Sequence, residues 1–372
     1  MTAGTGRKGT TMAKATELPS GAGSAGARTA EREAYYARIH ARDMSPLWEV
    51  NRRLVTPEPV IDSVPHLWDY DGLRDTLLES GALITAKEAQ RRVLILENPG
   101  LDGSHRITES LFAGLQLIMP GEIAPAHRHS PAALRFIVEG EGAYTAVGGE
   151  KSYMKPGDFI ITPAWAWHDH GHDGDAPVVW LDGLDIPMVA AFGPLFFEMY
   201  PDDRAPESVP PGDSQARYGA NMRPVGEAWT RPESPIFSYP YERSREALET
   251  MRSGAEWDPC AGLRMTYVNP TTGGSAMPTI STFLQLLPKG FAGATYRTTE
   301  GTVYAATEGT GRIEVDTAGG TVTLDWKPRD IFCVPCWMPH RLTAAEDAVL
   351  FSFSDRVAQE KLGIWREIRG NG

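Results

Sequence analysis

Two stretches far apart in the chain follow one template, and that repetition limits the folds open to it. MKPGDFIITPAWAWH ends at His168 and WKPRDIFCVPCWMPH ends at His340, while EGEG at 139–142 is matched by EGTG at 308–311. A repeat on this scale marks two domains of one architecture. Within the first copy, short alternating segments are parted by Gly and Pro turns, the pattern of an antiparallel sheet. Ala132 to Val138 and Ala143 to Val147 read as strands, with a tight turn at Gly148-Gly149. Lys151 to Met154 runs into the Pro156-Gly157-Asp158 turn, and Phe159 to Thr162 and Val178 to Leu184 are further strands. Two small antiparallel barrels are the physical reading.

Five of the nine histidines fall in the first copy: His127, His129, His168, His170 and His172. His127 and His129 are two apart, so on a strand both side chains leave one face. The sheet pattern returns the chain beside them at His168. Three imidazoles on two strands form one face of a metal's coordination sphere and leave the other positions to substrate. Scattered core or surface histidines are the bland alternative. In the second copy Tyr296-Arg297-Thr298 stands where His127-Arg128-His129 stands in the first, and only His340 persists. Metal is therefore expected in the first domain alone. Cys333 and Cys336 form a lone CxxC inside a strand and turn of the repeat, which points to core thiols rather than zinc ligands.

Several polar residues interrupt apolar strands. Asp182 in VVWLDGL needs a partner if buried, either His170 or an arginine, unless the position is solvated. Arg135, between Leu134 and Phe136, poses the same question, and shares strand parity with the histidine pair if no bulge intervenes. Arg91 and Arg92, beside the apolar run Val93 to Leu96, are either a wet strand end or a clamp for a small anion. Gln116 lies among the core candidates Leu111, Leu115 and Leu117, and either points into the cavity or caps a strand end.

Acidic residues outnumber basic ones by 48 to 36, and no basic run stands out, which argues against a nucleic-acid partner. No apolar stretch approaches a membrane span, and the N-terminus lacks the apolar core of a signal peptide. With only three cysteines, a reducing cytoplasm is the simplest compartment. In chain order the reading is a disordered tail over 1–28 and a helical arm over 29–90. The first, metal-binding domain covers 91–200, and a connecting segment with a helix covers 201–255. A second domain without a complete metal site follows at 256–354, then a C-terminal helix at 355–372. In the arm, helices are expected over Ala30 to Arg42, with Tyr35, Ile39 and Tyr36 as the inward candidates, up to Leu54, and from Tyr70 to Ser80, stopping before Gly81. The arm is expected to wrap the first sheet domain or a partner subunit.

HRHSPAALRFIVEGEG, MKPGDFIITPAWAWHDHGH and VWLDGLDIP closely resemble the bicupin ring-cleaving dioxygenases of the gentisate type, as do RRVLILENPGL and RMTYVNPTTGG. The resemblance covers roughly residues 30 to 370. It implies an all-β core of two cupin (double-stranded β-helix) barrels with an N-terminal helical arm, assembled as a homotetramer. It implies Fe(II) on His127, His129 and His168, one per subunit in the N-terminal cupin, and a small aromatic carboxylate and O2 as substrates. The implied reaction opens gentisate between C1 and C2 to give maleylpyruvate. Salicylate, a substituted salicylate and 1-hydroxy-2-naphthoate are the alternative substrates. On this reading Arg135, Arg91, Arg92 and Gln116 meet the substrate. His170 assists proton movement or orients oxygen, with Asp182 fixing its tautomer. Isomerase or decarboxylase chemistry and a non-enzymatic storage or sensor role are the competing classes.

Overall fold

The structure, a computed structural model, describes residues 30–254 and 256–370, so the expected tail over 1–28 lies outside them. Contacts divide the chain into two units, with the boundary after Glu58. In the first unit the helices are Ala30–His40 and Leu47–Leu54. Tyr36 is the buried residue there, whereas Tyr35 is 41% exposed. The Tyr36 hydroxyl accepts from Trp48 Nε1 at 2.9 Å and donates to Glu49, so the second helix covers the Tyr36 side.

The second unit is organised on four antiparallel sheets among the described residues. One runs in the order Ser238–Tyr239, Phe159–Thr162, Ala133–Glu139, Val178–Leu184, Phe112–Ile118, Val93–Ile95. Another runs Phe197–Met199, Ile123–His129, His168–His172, Ala143–Val147, Glu150–Tyr153. The later half of the chain repeats this plan. His66–Trp68, Ile331–Val334, Thr302–Glu308, Ala348–Ser354, Ser281–Leu287 and Leu263–Thr266 form one sheet. Gly320–Trp326, Gly311–Thr317, His340–Ala344, Tyr296–Thr298 and Glu367–Arg369 form the other.

The period of two sorts side chains between cores. Leu134, Phe136, Phe159, Ile161 and Leu181 share one cluster with Val303, Val349, Phe351 and Phe353 of the later half. Phe136 stacks on Phe351 at 4.2 Å between centroids. The alternate positions Ile137, Ile160, Trp180 and Ile118 face the other way, into a separate cluster with Ala143 and Met154. Gln116, Arg135 and Asp182 lie on that second face, which is what carries them toward the histidines.

The repeat holds at the level of register. His127 pairs with His168, and Tyr296 pairs with His340. Trp165 and Trp337 both adopt left-handed backbone, at φ 61° and 62°. Their N–H groups donate to the carbonyls of His129 (2.8 Å) and Thr298 (2.6 Å) respectively. A non-glycine residue held at positive φ is costly and persists only where its surroundings fix it. Here the hydrogen bond and a guanidinium do so: Arg128 Cζ lies 4.5 Å from both the Trp165 and Trp167 rings, and Arg297 Cζ 4.4 Å from that of Trp337.

Three expectations need correction. The helix beginning at Tyr70 passes through Gly81 to Leu83. A Cβ at Gly81 would lie 3.0 Å from the Met119 sulfur, so the glycine permits close helix–sheet packing instead of ending the helix. The C-terminal segment is a helix only over Arg356–Leu362; Gly363, at φ 72°, turns the chain into the strand Glu367–Arg369. The arm does not serve the first half alone. Tyr70–Leu83 packs on Phe112–Ile118, but His66–Trp68 pairs with Ile331–Val334 of the later half.

Candidate metal centre

The strand Ile123–His129 presents His127 and His129, and the neighbouring strand His168–His172 presents His168. One ligating atom from each ring lies within 4.8 Å of the other two, and this is the one such group found among the described residues. His129 Nδ1 is 2.7 Å from the Pro131 carbonyl and His168 Nδ1 is 3.0 Å from that of Ala166. With those protons donated, each Nε2 is left as a lone-pair donor. His168 Nε2 and His127 Nδ1 are buried without any hydrogen-bond partner. Burial, reinforced by nearby positive groups including Arg91 and Arg135, holds His127 and His168 far below the ordinary imidazole range and His129 down to about 4. Neutral, orphaned, convergent nitrogens fit a divalent metal.

Protons compete with metal only where an imidazole can bind them. Because the pKa values are depressed, the three rings stay neutral as the pH falls, until it nears about 4 for His129. Metal content should therefore hold from neutrality to about pH 5 and fall as the pH approaches about 4. Metal analysis after dialysis at stepped pH checks this, and loss already near pH 6 would contradict it.

The triad opens into a cavity of about 330 Å³. Arg91, Gln116, Arg135 and Asp182 line it together with the three histidines. Arg135 arrives by a different route from the parity argument, because its strand belongs to the opposite sheet and faces the histidines across the cavity. Its Nη1 donates to Thr162 Oγ1 at 2.5 Å, and its Nε lies 3.6 Å from Asp182 Oδ1. Asp182 also accepts from Trp180 Nε1 at 3.0 Å. Burial pushes its carboxyl up to about 6, with Arg135 opposing the rise. Arg91 is anchored by Nη1 on the Pro125 carbonyl at 2.9 Å, while its Nη2 is buried without a partner. Burial and the neighbouring Arg135 bring Arg91 down to about 9, so it remains a cation at neutral pH.

Two expected site residues fall elsewhere. Arg92, just before the strand Val93–Ile95, points away from the cavity. It pairs with Glu122 and donates from Nε to the Ile84 carbonyl at 2.8 Å. His170 is fully buried behind the cavity wall, 5.3 Å from the Trp180 ring. Asp182 does not set its tautomer: His170 Nδ1 meets Thr145 Oγ1 at 2.9 Å, and Asp182 is taken by Arg135 and Trp180. Of the two thiols expected in the core, Cys333 is a core group and Cys336 is half-buried. Cys333 is buried against Asn98, and burial pushes both Cys333 and Cys336 up to about 12.

Sequence reasoning missed the apolar walls. Phe112, Leu195, Phe196 and Phe197 line the cavity, and the Phe197 ring lies 4.9 Å from that of His127. Phe112 was reachable by counting back in twos from Gln116. The Leu195-Phe196-Phe197 cluster carried only a weak signal, three large apolar residues just before a proline-rich stretch. A larger cavity, about 1120 Å³, lies in the later half and contains no such histidine group.

Residues 114–184 match the Cupin domain family. Over 341 residues the chain is 56% identical to Gentisate 1,2 dioxygenase 1 of Aquipseudomonas alcaligenes, spanning 92% of this chain and 97% of that protein. The chain belongs to the gentisate 1,2-dioxygenase family. It is also 35% identical to a 5-aminosalicylate 1,2-dioxygenase of Comamonas sp., over 90% of this chain and 89% of that one. A crystal structure of salicylate 1,2-dioxygenase from Pseudoaminobacter salicylatoxidans, an adduct with gentisate, superposes with a TM-score of 0.86 at 34% identity, covering 92% of this chain and 95% of that chain. In this gentisate 1,2-dioxygenase-family chain no helix among the described residues is long and apolar enough to cross a membrane.

Proposed function

We propose that the protein is an Fe(II)-dependent dioxygenase that opens gentisate between C1 and C2 with O2 to give maleylpyruvate. It works as a cytoplasmic homotetramer, with one iron per subunit in the first of two cupin barrels, each barrel formed by one pair of sheets. The observation that carries this reading is the meeting of three neutral imidazoles and two guanidiniums in one largely apolar cavity.

His127, His129 and His168 would hold the iron. Bound there, Fe(II) supplies Lewis acidity and the one-electron chemistry that lets O2 react with an aromatic ring. The protein's own work is positioning and charge balance. Arg91 and Arg135 are two cations on the cavity wall, with one lining carboxylate, Asp182, against them. The substrate carboxylate supplies the missing negative charge, and the unpartnered Nη2 of Arg91 is a donor ready for it. Thr162 and Asp182 hold the Arg135 guanidinium in place. Gln116 offers an amide to a ring hydroxyl. Phe196 and Phe197 give the ring an apolar wall and keep water from the reacting carbons. His170 acts as a positioning residue through Thr145 and the core beneath His168.

The substrate assignment is tested on one anaerobically iron-loaded preparation, comparing gentisate, salicylate and 1-hydroxy-2-naphthoate by oxygen uptake and product spectra. Gentisate should show the highest kcat/KM, by at least ~10-fold over salicylate, because its 5-hydroxyl enriches the ring and gives the site a further group to recognise. Equal or greater kcat/KM for salicylate would replace gentisate with salicylate and leave the metal site standing.

A further inference from the structure

The register that relates the two halves also relates their cavities. Arg264 lies opposite Gln285 as Val93 lies opposite Gln116. Tyr296 pairs with His340 as His127 pairs with His168. Ser352 lies opposite Phe283 and Tyr304 as Asp182 lies opposite Gly114 and Arg135. The space corresponding to the metal cavity is the large one of about 1120 Å³, lined by Arg264, Ser281, Phe283, Tyr296, Arg356 and Arg369 among others. It has lost two ligands and the aspartate, and it has gained an arginine where the first half has Val93.

That arginine is unmatched. Arg356 pairs with Glu360 at 2.8 Å, Arg369 pairs with Asp258 and with Glu367 at 3.1 Å, and Lys361 donates to the Pro278 carbonyl at 2.6 Å. The Arg264 guanidinium lies on the Phe283 ring, with Cζ 3.8 Å from the centroid. Its Nε and Nη2 are withdrawn from solvent and have no hydrogen-bond partner. Glu300 is a buried acid whose charged form Arg264 favours; it accepts from Ser354 Oγ at 2.9 Å, leaves Oε1 unpartnered, and forms no ion pair with Arg264. A half-buried cation with two donors shut off from solvent and left empty is an unfavourable arrangement unless something else completes it. Nε and Nη2 form one edge of the planar guanidinium, the edge that takes both oxygens of a carboxylate at once.

We propose that this cavity is a second, non-catalytic binding site for a small organic carboxylate, gripped side-on by Nε and Nη2 of Arg264. Phe283 supports the guanidinium from below, and Ser281 and Tyr296 give the ligand polar walls. The site stands apart from the iron centre and does not depend on the substrate assigned there.

Equilibrium dialysis of the iron-loaded, full-length protein with benzoate, and separately with maleate, tests the proposal. The wild type should show a saturable site for at least one of them that Arg264→Gln weakens tenfold or more and Arg135→Gln leaves in place. Turnover in Arg264→Gln should be unchanged, and Arg264→Lys, which keeps the charge but not the fork, should bind more weakly than wild type. Crystals of the wild type soaked in 4-bromobenzoate should show bromine anomalous density in the cavity, a readout independent of how the variants fold. Carboxylate binding unaffected by Arg264→Gln, absence of any Arg264-sensitive site, or no anomalous density beside Arg264 would each overturn it.

Discussion

Replacing His127, His129 or His168 by alanine is expected to remove metal and activity together, lowering kcat by roughly 10³-fold or more. Each ring supplies one of three convergent nitrogens, and the remaining pair cannot hold the metal in the same geometry. The decisive comparison is His340→Ala. His340 is the counterpart of His168, buried, with Nδ1 3.0 Å from the Met338 carbonyl as His168 Nδ1 is from that of Ala166. Its neighbours are Tyr296 and Thr298 instead of histidines, so its loss should leave metal content nearly intact. Metal analysis of the purified variants, paired with oxygen-uptake rates, reads both outcomes. Full metal in any of the three first-half variants would strike that residue from the ligand set.

Loss of Arg135 should be the other large effect. Arg135→Ala withdraws a guanidinium from the cavity and leaves Asp182 buried with only the Trp180 indole as donor. Breaking a buried charged contact of this kind costs ~2–5 kcal/mol, or roughly 30- to 5000-fold in kcat/KM. Arg91→Ala is the informative partner, because it removes the unpartnered Nη2 while keeping the Arg135–Asp182 contact. If Arg135→Ala leaves kcat/KM unchanged and Arg91→Ala abolishes it, Arg91 alone binds the substrate carboxylate.

The parts of the site that were legible in the sequence are those governed by local periodicity. A spacing of two between His127 and His129 set a shared face, and the copied KPxD-to-WxxH segment placed His168 beside them. Periodicity also separated Gln116, Arg135 and Asp182 from their apolar neighbours, though not the direction each would face. That depended on which sheet each strand joined, a long-range choice that no short window records. Arg92 shows the limit most plainly. Next to Arg91 in sequence and chemically identical, it serves Glu122, away from the cavity. His170 and Asp182 failed as a pair for the same reason, since each found a nearer partner across its own sheet. The helical arm was legible as helices, while its His66–Trp68 strand was too short and too mixed to announce its destination.

That destination has a consequence for how the polypeptide is made. The early strand His66–Trp68 completes an edge beside Ile331–Val334, and Ser238–Tyr239 completes an edge beside Phe159–Thr162. The Tyr70 amide likewise bonds to Asp330 across 260 residues. Neither half therefore has all its strands within its own stretch of chain. On the ribosome the first half emerges with the Phe159–Thr162 edge open until the connecting segment follows, and His66–Trp68 waits unpaired through most of synthesis. Such distant closures are slow and leave sheet edges exposed to wrong partners in the meantime. The halves are laced together late, so the repeat that looks like two modules in sequence should mature as one.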